Sequence, residues 1–462
     1  MISVDRWLSS YFLSKKEGKI IMAEVTPFNG ILYNPEKIIN LADVATPPYD
    51  VISKDEQLNF HKKHPQNIIR LILGNETEND DEKNNRYTRA AGFFNEWISE
   101  EILIRDKIPA FYITSVEFTV DGISINRFGL IALVRLEPFE KGVILPHEKT
   151  YSKVKSERLQ LMKACHANFS PVFSLYSGKS DALNILENEI YSQSPDSDFT
   201  DDKGHRHRLW KITDPDIRKI ISASFTDKIL YIADGHHRYE TALNYREWES
   251  ENNPQFSSDH PVNFIMMYLC SMEDPGLIIL PAHRLLTCVN DSNLSDFIQK
   301  TSEYFDITTI EPDKNEPEKA RSLFISSLRS EGATNKIGVL LKNNNNFYIL
   351  SLRAGIMGGK YGNEFPESLM NFDVTVLTKL ILMEILGIDQ TGFDNEKLIA
   401  YSSSDKEAME NISSGRYDIA FILNPTKIEQ VREIAGEGLI MPRKSTYFYP
   451  KVITGQVLNK LS

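Results

Sequence analysis

Five consecutive residues, 234–238, combine side chains that phosphate chemistry uses: Asp, Gly, His, His and Arg. They follow the apolar run Ile229 to Ala233 and precede a segment with helical periodicity. The pattern predicts a buried strand joined by a tight turn to a helix from about His237 to Trp248. Gly235 permits such a turn and a close backbone approach, and the unpaired amides of a first helical turn attract anions such as phosphate.

The side chains of this DGHHR turn (residues 234–238) suggest distinct roles. Asp234 is placed as a catalytic general base or metal ligand. His236 and His237 could donate to phosphate oxygens or shuttle protons, and Arg238 offers a bidentate fork for phosphate. The alternative is a structural turn whose His and Arg side chains only cap and pair locally. A purely structural turn needs only a Gly and a capping residue. The larger number of polar side chains in residues 234–238 therefore favours a functional site.

Three more segments carry basic or hydroxyl side chains that could contact the same anion. They are the loop HEKT with the basic residues after it, the His-Arg pair of PAHRLL, and MPRKSTYFYPK near the end of the chain. The residues concerned are His147, Lys149, Arg158, His283, Arg284, Lys444, Ser445 and Thr446. The alternatives are a solvated loop, a surface pair and a packed aromatic strand. Asp50 in PPYDVI could serve the site or cap the next segment.

Elements that would position these residues can be read from local patterns. Asp121-Gly122 between two β-rich runs predicts a hairpin, and Ser53 with Glu56 predicts a capping box that starts a helix. The apolar run Asn67 to Gly74 predicts a buried strand. The run 276–286, GLIILPAHRLL, is predicted to be another buried strand that ends at its His-Arg pair.

Composition narrows the class of protein. The 462 residues are 41% apolar and 25% charged, as in soluble globular proteins. The net charge of −12 argues against a general nucleic-acid binder, and three scattered cysteines without CxxC spacing argue against a disulfide scaffold or a structural zinc site. No apolar run is long enough to cross a membrane, and residues 1–24 read as a leader helix rather than a signal peptide. We expect a cytoplasmic protein.

Several blocks together resemble the prokaryotic family called domain of unknown function 1015. They include PFNGILYNPEK, TPPYDVIS, LPHEKTYSKVKSERLQLMKACHANFSPVFSLY, YIADGHHRYETAL and MPRKSTYFYPKVITG. The resemblance extends from about Pro27 to Gly455. HExxH, Walker A and GxGxxG motifs are absent from the sequence.

The segment IADGHHRYETA is also similar to the phosphate-binding box of ParB-type partition proteins, sulfiredoxin and the ParB-like free serine kinase. This resemblance implies a mixed α/β fold with a ParB-like nucleotide-binding core inside a larger mixed-sheet protein. The implied segments are a leader (1–24), an α/β region (25–225), the core (226–300), an α/β insertion (301–400) and a segment that returns to the core (401–462). The absence of Cys from the motif argues against sulfinic-acid repair.

The function implied is phosphoryl transfer or hydrolysis on a small metabolite, with serine or phosphoserine as the specific guess. The ligand would be a phosphorylated metabolite or a nucleotide of ATP, ADP or CTP type, with Mg²⁺ as a helper. The alternative is a ParB-like, nucleotide-gated regulatory or chromosome-partition protein. Nucleic acid and membrane are not expected partners, and the sequence leaves the oligomeric state open.

Overall fold

The computed structural model describes residues 23–150, 152–178, 190, 193–287, 291–313, 315–330, 335–389, 392, 395 and 397–461. The predicted leader helix falls almost entirely outside these residues. The chain forms two compact units: the first comprises residues up to Ile278 together with 450–462, and the second comprises Ile279–Tyr449. The finer division into five segments stays a prediction.

A mixed sheet forms the frame of the first unit, with the strand order β6-β11-β8-β12-β5-β4-β10-β9 and β1 paired to β5. The pairs β11–β6 and β12–β8 are parallel, whereas the others are antiparallel. The prediction of a mixed α/β fold is confirmed. The strands are β1 (Val25–Thr26), β2 (Ile31–Tyr33), β3 (Leu103–Arg105), β4 (Phe111–Val120), β5 (Ile123–Arg135), β6 (Ile144–Leu145), β7 (Ala167–Asn168), β8 (Val172–Tyr176), β9 (Ser197–Thr200), β10 (Arg206–Ile212), β11 (Leu230–Asp234) and β12 (Phe264–Ser271).

Helices of the first unit pack against this sheet and against a second apolar cluster. They are α1 (Lys54–Lys63), α2 (Ile69–Ile72), α3 (Arg86–Ser99), α4 (Ser152–Cys165), α5 (Pro215–Ala223) and α6 (His236–Asn252). Short 3-10 turns are Leu41–Asp43, Tyr49–Val51, Phe139–Lys141 and Pro261–Asn263. The capping box of Ser53 and Glu56 begins α1, and Asp121-Gly122 joins β4 to β5, so both predictions are confirmed.

The predicted strand–turn–helix junction is present. β11 ends at Asp234, and α6 begins at His236. Apolar β11 residues such as Leu230 and Ile232 are completely buried, and Tyr239 and Ala242 of α6 join the same core. This packing fixes the orientation of the DGHHR turn relative to the sheet.

The strand predicted over Asn67 to Gly74 is wrong, because residues Ile69–Ile72 form the short helix α2. The Asn67 side chain accepts a hydrogen bond from the amide of Ile69 and so favours a helical turn. Ile68 and Leu71 are completely buried. A short run that is apolar throughout has no periodicity that distinguishes a buried strand from a buried helix.

The second unit contains an antiparallel sheet with the order β15-β17-β16-β19-β14-β18. Its strands are β14 (His283–Leu286), β15 (Phe305–Ile310), β16 (Lys336–Leu341), β17 (Phe347–Leu352), β18 (Ile399–Ser402), β19 (Ile419–Ile422) and β20 (Tyr447–Tyr449), and β13 (Ile278–Leu280) lies at the boundary along the chain. β21 (Asn459–Lys460) belongs to the first unit.

Helices of the second unit include a π-helix at Leu377–Ile385. The α-helices are α7 (Asp291–Thr301), α8 (Pro317–Leu328), α9 (Ile356–Tyr361), α10 (Glu367–Met370), α11 (Asp373–Val376), α12 (Asp405–Ser413) and α13 (Ile428–Gly436). The single strand predicted over 276–286 is wrong. Pro281 lies between β13 and β14, as expected of a residue that cannot donate to a sheet ladder. None of the helices that the structure describes is long and apolar enough to cross a membrane.

Candidate functional site

The DGHHR turn is a constrained backbone corner. Gly235 has φ +91° and is the N-cap of α6, where it supplies no side-chain cap to the first-turn amides. A Cβ atom at Gly235 would lie 2.8 Å from Nε of Arg238. Both the positive φ and this close approach require glycine. The turn therefore presents helix amides and the Arg238 guanidinium side by side, as an anion site would.

Asp234 is held between two cations. Its Oδ2 accepts a hydrogen bond from Nη2 of Arg238 at 2.5 Å, and its Oδ1 accepts one from Nζ of Lys451 at 2.5 Å. The three side chains are only 13%, 11% and 12% exposed. Burial alone would raise the pKa of Asp234, but Lys451 and Arg238 hold this pKa well below its ordinary value. Asp234 is therefore an ionised anchor for two cations.

A cavity beside the turn brings two arginines together. It is open to solvent, has a volume of about 500 Å³ when its open mouth is included, and is lined by Arg158, Arg238, Ser170 and Thr241, among others. Nη1 of Arg158 donates to the carbonyl of Ile72 at 2.7 Å, and Nη1 of Arg238 donates to the carbonyl of Pro171.

Three buried polar atoms of this cavity lining are unsatisfied. Nε of Arg158, Nε of Arg238 and Oγ1 of Thr241 have no hydrogen-bond partner among the residues that the structure describes. A buried donor without a partner costs about 1–3 kcal/mol. Each of these atoms requires a polar partner, which an ordered water or a polar ligand would supply.

Arg158 is positioned by an aromatic ring. Its guanidinium carbon lies 4.1 Å from the centre of the Tyr49 ring, a distance typical of a cation–π contact. Burial raises the pKa of Tyr49 to about 12, so the phenol is neutral. No ion pair of Arg158 is formed within the described part of the chain, and its charge is available to a ligand.

His147 and His236 form a buried, neutral pair. Their ring centres lie 4.7 Å apart in an edge-to-face arrangement, and the amide of His147 donates to Nε2 of His236 at 3.3 Å. Burial lowers the pKa of His147 to about 4. Burial also holds the pKa of His236 well below its ordinary value. The pair thus fixes the position of the HEKT loop against the turn without adding charge.

Glu240 ties the HEKT loop and α4 to α6. It accepts hydrogen bonds from Oγ1 of Thr150 at 2.7 Å and from Nζ of Lys155 at 2.5 Å. Lys149 is exposed in the same loop. His237, on the first turn of α6, is also partly exposed, and burial lowers its pKa below the ordinary value.

The expected convergence of sequence-distant blocks is observed within the first unit for His147, Arg158 and residues 234–238. Lys149 also belongs to the first unit, whereas the other five predicted residues belong to the second: His283, Arg284, Lys444, Ser445 and Thr446. There, Nη2 of Arg284 donates to the carbonyls of Arg443 and Lys444 at 3.1 and 3.0 Å, so the HR pair and the PRKST segment also meet.

Ser445 of that segment makes two further hydrogen bonds. The carbonyl of Ser445 accepts from Oγ1 of Thr426, and the hydroxyl of Ser445 donates to the carbonyl of Pro442. His283 is completely buried, with Nε2 2.9 Å from a carboxylate oxygen of Asp405. The assignment of His283, Arg284, Lys444, Ser445 and Thr446 to the phosphate site stays a prediction.

Sequence reasoning misses two contributors, Thr241 and Tyr49. Thr241 lies one helical turn after the motif, at the i+3 position from Arg238, and this spacing could have indicated it. Tyr49 adjoins Asp50 of PPYDVI. Lys451 belongs to the basic segment MPRKSTYFYPK, but no local pattern indicates its ion pair with Asp234, 217 positions away.

A profile of the family described as "Protein of unknown function (DUF1015)" matches residues 25–376. The match spans well over half of the chain, so this protein belongs to that family. No curated protein matches the sequence.

Three solved structures are similar at low scores. A conserved hypothetical protein from Pyrococcus furiosus is 11% identical, with 72% of this chain and 95% of that one covered and a TM-score of 0.33. Free serine kinase in complex with AMP is 12% identical, with 69% and 86% covered and a TM-score of 0.32. SbnI with a C-terminal truncation, from Staphylococcus aureus, is 10% identical, with 71% and 86% covered and a TM-score of 0.33. Sequence identities and TM-scores this low do not identify a ligand or an activity for this protein.

Proposed function

We propose that this protein binds a nucleotide or a phosphorylated metabolite at the DGHHR turn and transfers or hydrolyses its phosphoryl group. The observation that carries the proposal is the cavity at the start of α6, whose lining includes Arg158, Arg238 and Thr241, each with a buried polar atom that has no partner among the described residues. A phosphate would accept from all three and would gain the positive end of the α6 dipole.

The charge balance supports an anionic ligand. Asp234 is shared between two cations, Arg238 and Lys451. Arg158 adds another positive charge without a carboxylate partner in the described residues. The low dielectric of a nearly buried site strengthens the attraction for phosphate, and the guanidinium groups would donate charge-assisted hydrogen bonds to its oxygens.

In the proposed transfer, the phosphoryl group leaves its donor and joins a hydroxyl of a small polar acceptor. Serine is the specific candidate that the motif resemblance suggests. Arg238 and Lys451 would stabilise the charge that develops on the phosphoryl oxygens. The neutral imidazole of His237 would accept the proton that the acceptor hydroxyl loses, or in hydrolysis the proton of water. Asp234 is a weak base while both of its oxygens are paired, and we assign it the orientation of the two cations.

Mg²⁺ would supply charge neutralisation between phosphates when bound. The carboxylate at the turn that could ligate it is Asp234, and its two oxygens already accept from cations. These contacts do not fit a ready magnesium site, and no step here depends on one.

Binding and turnover can be tested separately. The melting temperature should rise when ADP, ATP, CTP or phosphoserine is added, because a ligand at 100 times its dissociation constant adds about 2.7 kcal/mol. Phosphate release or phosphoserine formation then distinguishes an enzyme from a nucleotide-gated switch. A nucleotide that binds without any turnover, together with strongly salt-dependent DNA binding, would favour the switch. No shift with any phosphorylated compound would contradict the proposal.

A further inference from the structure

The hairpin between β9 and β10 brings three metal-binding side chains together, apart from the DGHHR turn. Asp201 follows β9, His205 immediately precedes β10, and His207 is the second residue of β10. One oxygen of Asp201, Oδ2, lies 3.3 Å from Nδ1 of His205 and 3.0 Å from Nε2 of His207. All three candidate ligand atoms lie within 4.8 Å of one another.

We propose that Asp201, His205 and His207 form a binding site for a divalent transition-metal ion, with Zn²⁺ the best fit. Two imidazole nitrogens and a carboxylate oxygen are the ligand types that zinc prefers, and three protein ligands leave a position for water. With zinc bonds of about 2.0–2.1 Å, tetrahedral ligand atoms lie about 3.3–3.4 Å apart. The two distances from Asp201 are close to this value, so small side-chain rotations would admit the ion.

The hairpin holds these ligands in place. The amide of Asp201 donates to the carbonyl of His205, and the amide of Gly204, at φ +81°, donates to the carbonyl of Asp201. His205 and His207 alternate with Arg206, so both point to the same face of the strand. A turn closed in this way, on a strand paired on both sides, is a rigid support for a metal site.

The surroundings orient each ligand. The second oxygen of Asp201, Oδ1, accepts from the amides of Lys203 and His205 at 2.9 Å each, which directs Oδ2 towards the imidazoles. Phe199 stacks on the His207 ring with centres 5.2 Å apart, and Phe118 contacts His205 edge-to-face. The two histidines are only 7% and 4% exposed. Such outer contacts typically fix the orientation of ligands.

The competing explanation is a hydrogen-bonded clamp in which Asp201 simply accepts from both histidines. To distinguish the two, the full chain would be stripped with a chelator and titrated with Zn²⁺ against a chromophoric competitor. Bound zinc would be counted by mass spectrometry after dialysis. We expect one equivalent in the wild type, none in the double variant His205→Ala/His207→Ala, and one in the control variant His260→Ala, which alters a histidine outside the cluster.

Asp201→Asn provides a second test in case the double variant does not fold, because this substitution keeps the size of the side chain. It should weaken Zn²⁺ binding at least about 10-fold, the lower limit reported even for outer contacts. Co²⁺ substituted for zinc should show tetrahedral ligand-field absorption in the wild type and in His260→Ala, but not in the double variant. Less than one equivalent of zinc in the wild type, unchanged affinity in Asp201→Asn, or loss of zinc in His260→Ala would overturn the metal site.

Discussion

Replacement of Arg238 by alanine removes the side chain that links the DGHHR turn to the cavity. The variant deletes one buried guanidinium with an unsatisfied Nε, and it leaves Asp234 paired with Lys451. Charge-assisted contacts contribute about 1.5–3 kcal/mol, so the affinity for ADP should fall roughly 10- to 150-fold. Arg238→Lys retains the charge but not the planar fork, and should lose less affinity than the alanine variant. Isothermal titration measures both.

Arg218→Ala is the matched control. Arg218 also donates to a proline carbonyl, that of Pro109 at 2.9 Å, and its Nε is likewise buried without a described partner. It lies on α5, outside the lining of the cavity. Its ADP affinity should equal that of the wild type. Equal affinity in Arg238→Ala and Arg218→Ala would refute the phosphate role of the turn.

Further predictions concern stability and its dependence on pH. Gly235→Ala forces a side chain into a left-handed conformation, so the free energy of unfolding in urea should fall by about 1–2 kcal/mol, and displacement of Arg238 should weaken ADP binding. Asp234→Asn leaves two cations without their shared carboxylate and should cost about 3–5 kcal/mol at pH 7. Because the folded-state pKa of Asp234 is lowered, its contribution to the free energy of unfolding is complete above about pH 4 and is lost as the pH falls further. The difference in unfolding free energy between the wild type and Asp234→Asn should therefore become smaller in acid. The folded-state pKa of His147 is about 4, so protonation of this residue in the unfolded state should lower the wild-type free energy of unfolding by roughly 2 kcal/mol from pH 7 to pH 5. His147→Gln should reduce this fall. Equal dependence of the unfolding free energy on pH in the wild type and in His147→Gln would contradict a neutral, buried His147.

Much of the fold could be predicted because apolar runs, glycines and capping residues determine local backbone structure directly. β11 and α6 follow from an apolar run, a glycine and helical periodicity, and the Ser53–Glu56 box marks the start of α1. The strand predicted for the run at Ile69–Ile72 is wrong because an element that is buried on every side has no amphipathic period to distinguish a strand from a helix.

The candidate site was only partly predictable for a different reason. Asp234 and Arg238 are four residues apart and are visible as a motif, but their partner Lys451 comes from the far end of the chain. Such a pairing is set by tertiary packing, which a single sequence does not encode in any local pattern. The same holds for Tyr49 beneath Arg158.

The most direct test of the central claim is the electron density of ADP in a crystal of the full chain. A phosphate should lie in the cavity beside α6, within hydrogen-bond distance of Nε of Arg158, Nε of Arg238 and Oγ1 of Thr241. Density for the nucleotide at another location, with this cavity filled by water alone, would contradict the assignment of the DGHHR turn as the phosphate site.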